Sequence, residues 1–150
     1  MDKDAQTKIT KARAGLVLDS PFFASIALRL KVQEDPTAPS MWTDGKTLAY
    51  NPAWIKGLTL DEVKGVLCHE VMHIALLHNL RRDQRDPAKW NMAADHAVNP
   101  ILLDANMTLP KCVLIGREYE GMSAEEIYNR LPQDTDGGQG NDPGNCGEVR

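Results

Sequence analysis

The chain has 150 residues, 42% hydrophobic and 25% charged, with 17 Lys and Arg against 21 Asp and Glu, a net charge of -4 and a pI near 5.5. That length suits one core rather than two full domains. The acidic balance gives no case for nucleic-acid binding, no apolar run approaches the roughly 20 residues of a membrane span, and Met1-Asp2-Lys3-Asp4 lacks the layout of a secretory signal.

In chain order, residues 5–18 predict a helix with Ile9, Ala12, Leu16 and Leu18 as its apolar set. Ile26, Leu28, Leu30 and Val32 alternate with Ala27, Arg29, Lys31 and Gln33, the period of a strand. Ser40–Thr43 and Lys46–Tyr50 flank Asp44-Gly45, a two-residue hairpin signal. The strand Lys46–Tyr50 has two readings: a sheet edge that takes a peptide through backbone hydrogen bonds, or an interior strand with no ligand role. Thr59-Leu60-Asp61-Glu62 has the capping-box form, and no Pro or Gly interrupts Val66 to Leu80. Val63, Val66, Leu67, Ile74 and Leu77 give that helix a buried face. Arg81, Arg82 and Arg85 interleave with Asp83 and Asp86, as a solvated helix end does.

Asp86-Pro87 then opens a second helix that runs to Asn99, with Asp at the cap and Pro at the first helical position. Ser123-Ala124-Glu125-Glu126 caps a short helix ending at Leu131. From Pro132 to Arg150 the chain is rich in Gly, Asp, Asn, Gln and Pro and buries too little to order itself. The expected division is a domain over 1–131 and a flexible linker over 132–150. Cys68, Cys112 and Cys146 cannot all pair and read as reduced thiols of a cytoplasmic protein.

All four histidines fall between His69 and His96. His69-Glu70-Val71-Met72-His73 has the H-E-x-x-H form. On a helix the two imidazoles differ by about 40° around the axis and project one turn apart toward a common point. Glu70 stands about 100° from His69, at the flank of that point. Two imidazoles suit a zinc ion, and a flanking carboxylate suits the proton of its bound water. A third ligand is needed. His78 stands about 140° from His73 on a straight helix and faces away, which makes it a helix-end residue or a partner of a ligand. The H-E-x-x-H-x-x-G-x-x-H arrangement is absent: Leu76 holds the Gly position and the next His comes one residue early. Asp95 shares a helix face with Met92 and Asn99, and a carboxylate on that apolar side needs a partner such as a metal. His96 points about 100° away from Asp95, so the two do not ligate together. Tyr50 and Tyr119 each offer a hydroxyl for a developing oxyanion, and no motif selects either.

Leu67-Cys68-His69-Glu70-Val71-Met72-His73, then His78, Trp90-Asn91-Met92-Ala93-Ala94-Asp95 and Asn99, resembles the metallopeptidase domain of bacterial and phage proteins that carry a von Willebrand A-like region further on. Thr43-Asp44-Gly45, Leu48-Ala49-Tyr50-Asn51-Pro52 and Gly121-Met122-Ser123-Ala124-Glu125-Glu126-Ile127-Tyr128 agree with it, so that the likeness spans most of residues 10–131. The resemblance implies an α+β, zincin-like fold, with a small mixed sheet packed on the H-E-x-x-H helix and a second ligand-bearing helix. It implies a Zn2+ cofactor and peptidase activity on a peptide or protein substrate, and it places the family's Asp on Asp95. The A-like region has no counterpart in these residues, as in a truncated chain or a shorter relative. The expected function is a zinc peptidase with His69, His73 and Asp95 as ligands and Glu70 as general base. The alternative is a catalytically silent zinc-binding domain tethered to a partner.

Overall fold

Residues 2–111, 116–132 and 148–149 are described by a computed structural model. Asp2 caps α1 (Lys3–Asp19) by accepting from the Asp4 and Ala5 amides. Its buried stripe is Ala5, Ile9, Ala12 and Leu16, at helical spacing; Leu18, expected in that set, is 85% exposed. Pro21 opens α2 (Pro21–Ala27), where a strand was expected to begin at Ile26. The alternation misled because it put Ala27 on the solvent side and Leu28 on the core side. Ala24 and Ala27 pack inward as a helical pair, Leu28 is exposed, and β1 (Lys31–Glu34) starts only at Lys31.

The hairpin forms from β2 (Met41–Thr43) and β3 (Thr47–Tyr50), but with a three-residue connection, 44–46, where a two-residue turn and a strand from Lys46 were expected. The Asp44 carboxylate accepts from the Lys46 and Thr47 amides, and Gly45 takes the positive φ of 94° that the turn demands. The sheet order is β1-β3-β2-β4, where β4 is Glu148–Val149 and runs parallel to β2. β3 lies between a parallel β1 and an antiparallel β2. It is interior, and the reading in which its open edge holds a peptide falls away. Most of the expected linker, 132–150, lies outside the described residues, as do Cys112 and Cys146.

After the short α3 (Pro52–Lys56) comes α4 (Leu60–Ala75), capped reciprocally by Thr59 and Glu62. Every residue from Gly65 to His73 is buried, so α4 is a central helix rather than an amphipathic surface one. The inner faces of α1 and α2, the sheet residues Met41, Leu48 and Tyr50, and Val98 and Leu102 all join its core. Close approach needs Gly65: a Cβ there would lie 1.8 Å from the Thr108 carbonyl oxygen. The helix stops at Ala75, and Leu77 turns the chain at φ 59° into α5 (His78–Arg81). Asp86 caps α6 (Pro87–Asp104) by accepting from the Lys89 amide, and the helix continues past the expected end at Asn99 through Pro100. Ile127 and Leu131, on and just past α7 (Ala124–Arg130), pack with Ala93 of α6. The architecture is mixed α+β. Among the described residues no helix is long and apolar enough to cross a membrane.

Candidate metal centre

Helix α4 delivers His69 and His73 one turn apart, and α6 lays Asp95 against them. His73 Nε2 is 2.9 Å from His69 Nε2, and the Asp95 Oδ1 oxygen lies 3.0 Å from His69 Nε2 and 3.1 Å from His73 Nε2. These three residues form the one His, Cys, Asp and Glu cluster with metal-ligand spacing among the described residues. Tetrahedral ligands on bonds near 2.0–2.1 Å stand about 3.3 Å apart, so the triangle is close to one face of such a site. Two neutral imidazoles and a carboxylate are donors that suit a borderline cation and would oppose its charge in a buried place. The residues present therefore fit a metal.

The centre is deep. His69 and Asp95 are 3% exposed, and His73 and Glu70 are fully buried. Burial, with the neighbouring His69, holds the His73 imidazole below its ordinary range, against the pull of Asp95. It is thus held neutral, as a ligand must be. Burial alone would raise Asp95, but the His69 and His73 imidazoles against it bring it below the usual carboxylate range. Glu70 follows His69 directly, about 100° round the axis.

The far nitrogen of each imidazole also has a partner. His69 Nδ1 is 2.8 Å from Asn99 Oδ1, one turn beyond Asp95 on α6. His73 Nδ1 is 2.9 Å from His78 Nδ1. On a straight helix His78 would face away; the left-handed turn at Leu77 swings it back instead. Trp90 Nε1–H donates to the His78 carbonyl at 2.8 Å, and the two rings meet edge to face. Burial, then His73 and Arg81, push His78 down to about 3.

Of the other candidates, His96 is outside the triangle and packs at a tilt against Tyr119, with ring centroids 4.8 Å apart. Burial lowers His96, opposed by Asp95 and Glu118. Tyr50 is buried in β3 within the main core. Cys68 is a buried free thiol, pushed up to about 12 by burial, and is inert rather than a ligand. Sequence reasoning offered His78 as a helix-end residue or a partner of a ligand, without selecting His73, and missed the Trp90 tie. Asn99 was visible as the i+4 neighbour of Asp95, though not its bond to His69.

Residues 4–148 match the family described as "putative metallopeptidase domain". An uncharacterized protein of Thermotoga maritima is 31% identical over 115 residues, which are 71% of this chain and 29% of that protein. The chain thus spans under a third of the length of that relative. No solved structure matches it.

Proposed function

Since the chain belongs to this metallopeptidase-domain family, we propose that it hydrolyses peptide bonds at a zinc centre held by His69, His73 and Asp95, with Glu70 as general base, on a zincin-like fold. The observation that carries this reading is the triangle of two Nε2 atoms and one Oδ1 with edges of 2.9–3.1 Å, beside a glutamate on the same helix turn. Bound there, zinc supplies a water acidified toward neutral pH and a Lewis acid for the scissile carbonyl. His69 and His73 give neutral nitrogen donors, and Asp95 gives a negative oxygen. Glu70 takes the proton of the attacking water and returns it to the leaving amine. In this reading the substrate is a peptide or protein, and a C-terminal von Willebrand A-like region belongs to the longer polypeptides of the family. A cytoplasmic setting agrees with the free thiol of Cys68.

One observation favours a second reading, a silent zinc-binding domain that serves a partner: the ligand residues and Glu70 are at most 3% exposed, as structural metal sites are. Glu70→Gln separates the two. It keeps shape and should keep zinc, while cleavage of a peptide library falls about 10²- to 10⁴-fold. Zinc-loaded wild type that cleaves nothing, alone or joined to a C-terminal region, would leave the silent domain standing. Equal cleavage by both proteins would remove Glu70 from the mechanism.

A further inference from the structure

The sheet order leaves two outer strands, β1 and β4, and they lie in different surroundings. β1 is tied to the start of α1, where the Glu34 carboxylate accepts from the Asp2 amide at 2.8 Å. β4 stands at the end of the sheet that meets the metal-bearing helix. Both β2 and β4 pack on α4, which carries His69, Glu70 and His73. The line of β2 also leads to the His73 end of that helix. Just past β2, the Asp44 carbonyl accepts from Asn79 Nδ2 at 3.0 Å, and Asn79 follows His78, whose ring touches His73. A backbone seated along the outer side of β2 therefore runs beside α4.

That seat is taken by the chain itself. Glu148 lies opposite Trp42 and Val149 opposite Thr43, in parallel, and among the described residues β2 is the one ladder partner of β4. Two residues make a short ladder, since strands usually run to about 5–6 residues, and so short a strand opens readily. Any extended backbone fits the same seat, because ladder hydrogen bonds do not depend on side chains. A peptide substrate is such a backbone. With β4 in place, the ligand residues and Glu70 are at most 3% exposed. We propose that Glu148–Val149 is an autoinhibitory strand: it holds the edge of β2 that an extended peptide substrate must take, and the substrate enters by displacing it. This rests on the peptidase reading above. The exchange makes and breaks no covalent bond. Ladder hydrogen bonds to one backbone are replaced by those to another, so substrate concentration competes with the hold of the strand.

The test replaces both strand residues in the full chain, Glu148→Pro with Val149→Pro, which removes the two amide donors of β4 and touches no metal ligand. Zinc content should stay as in wild type. With a random-sequence peptide mixture as substrate, KM should fall about 10-fold with kcat unchanged, because the strand competes for binding and not for chemistry. A strand that only completes the sheet would lower stability and leave KM where it was, and that result overturns the proposal. Amide hydrogen exchange gives a readout without catalysis, measured with Glu70→Gln added so that peptide survives. The outward-facing amides of β2 should exchange faster in the proline variant, and excess peptide should slow them again. A disulfide lock is the opposite change: Trp42→Cys with Glu148→Cys, and Cys112→Ser and Cys146→Ser to prevent mispairing. Oxidation should abolish cleavage and a phosphine reductant should restore it. Equal cleavage by the reduced form and by the oxidised form, its disulfide confirmed by mass, overturns the proposal as well. If zinc-loaded wild type and proline variant both cleave nothing, the peptidase reading fails separately. Exchange then decides: peptide that slows the β2 amides in the variant keeps β4 as a competitor for that edge, and peptide that does not slow them overturns it.

Discussion

His69 and His73 sit one turn apart on one helix, yet they are supported in opposite ways. His69 leans on Asn99, a residue 30 positions later that reaches it only because α6 packs on α4. His73 leans on His78, five positions later, delivered by a turn in the chain itself. The first support is tertiary and chemically fixed, since Asn99 Oδ1 accepts whatever the site holds. The second is local and adaptable, since an imidazole can reverse its role.

The largest effect should come from removing the ligands that both supports hold. His69→Ala, His73→Ala and Asp95→Ala should each take zinc content from about one equivalent per chain toward none, read by metal analysis after gel filtration. His96→Ala should keep the metal, because its ring packs on Tyr119 rather than on the triangle. An Asp95→Ala protein with a full equivalent of zinc would detach the α6 side from the centre altogether.

Breaking the tertiary side without touching a ligand is the next test. Gly65→Ala places a methyl group 1.8 Å from the Thr108 carbonyl oxygen just after α6, a clash with backbone rather than with a flexible side chain. Overpacking of this kind should lower stability by about 1–3 kcal/mol in urea unfolding. It should also weaken zinc binding, because α6 carries Asp95 and Asn99. Unchanged stability would mean that α4 and the segment after α6 do not meet so closely.

The two supports were not equally legible in the sequence. The tertiary one could be read in large part. Asp86-Pro87 starts α6, and the i, i+4 spacing of Asp95 and Asn99 puts a carboxylate and a carboxamide on one otherwise apolar face. The local one was legible only in outline: His78 stood as a helix-end residue or a partner of a ligand, and nothing selected His73. His78 was assigned to the far side of a straight helix because nothing between Val66 and Leu80 breaks one, and leucine gives no sign that it will take a left-handed backbone. Elsewhere the same contrast holds. Capping boxes at Thr59 and Ser123 and the Asp44-Gly45 turn are local signals with a direct physical cause, and the helices began, and the chain turned, where expected. The stretch from Ile26 to Leu30 satisfied two periods at once, and packing of Ala24 and Ala27 decided for the helix.

Acid should expose the local support next. His78 ordinarily titrates near 6.5 and is held near 3, first by burial and then by His73 and Arg81 beside it. The unfolded chain therefore binds a proton that the folded chain refuses, and stability rises with pH through this range. The contribution is fully present above about 6.5 and is lost as pH falls toward 3. At about 1.4 kcal/mol per unit, roughly 2 kcal/mol should be gone by pH 5 from this group. Urea unfolding of metal-free protein at pH 8, 6.5 and 5 measures it, and His78→Gln should flatten the slope. Parallel slopes in wild type and His78→Gln would mean that His78 is not buried as a neutral ring.

The smallest effect concerns the residue that makes the local support at all. Leu77 holds φ at 59°, where a side chain crowds the backbone and glycine does not. Its own side chain is 51% exposed, so little burial is lost on truncation. Leu77→Gly removes the crowding but gives the unfolded chain more freedom, and the two oppose each other. The net should be a gain of about 0.5–1 kcal/mol, with zinc affinity unchanged because the turn that brings His78 to His73 is kept. Leu77→Val should go the other way by about 1–2 kcal/mol, since a β-branched side chain tolerates the left-handed region least. If Gly destabilises and Val does not, the chain does not turn at Leu77. The His73–His78 contact would then lose its cause, and the contrast between a fixed and an adaptable support would fall with it.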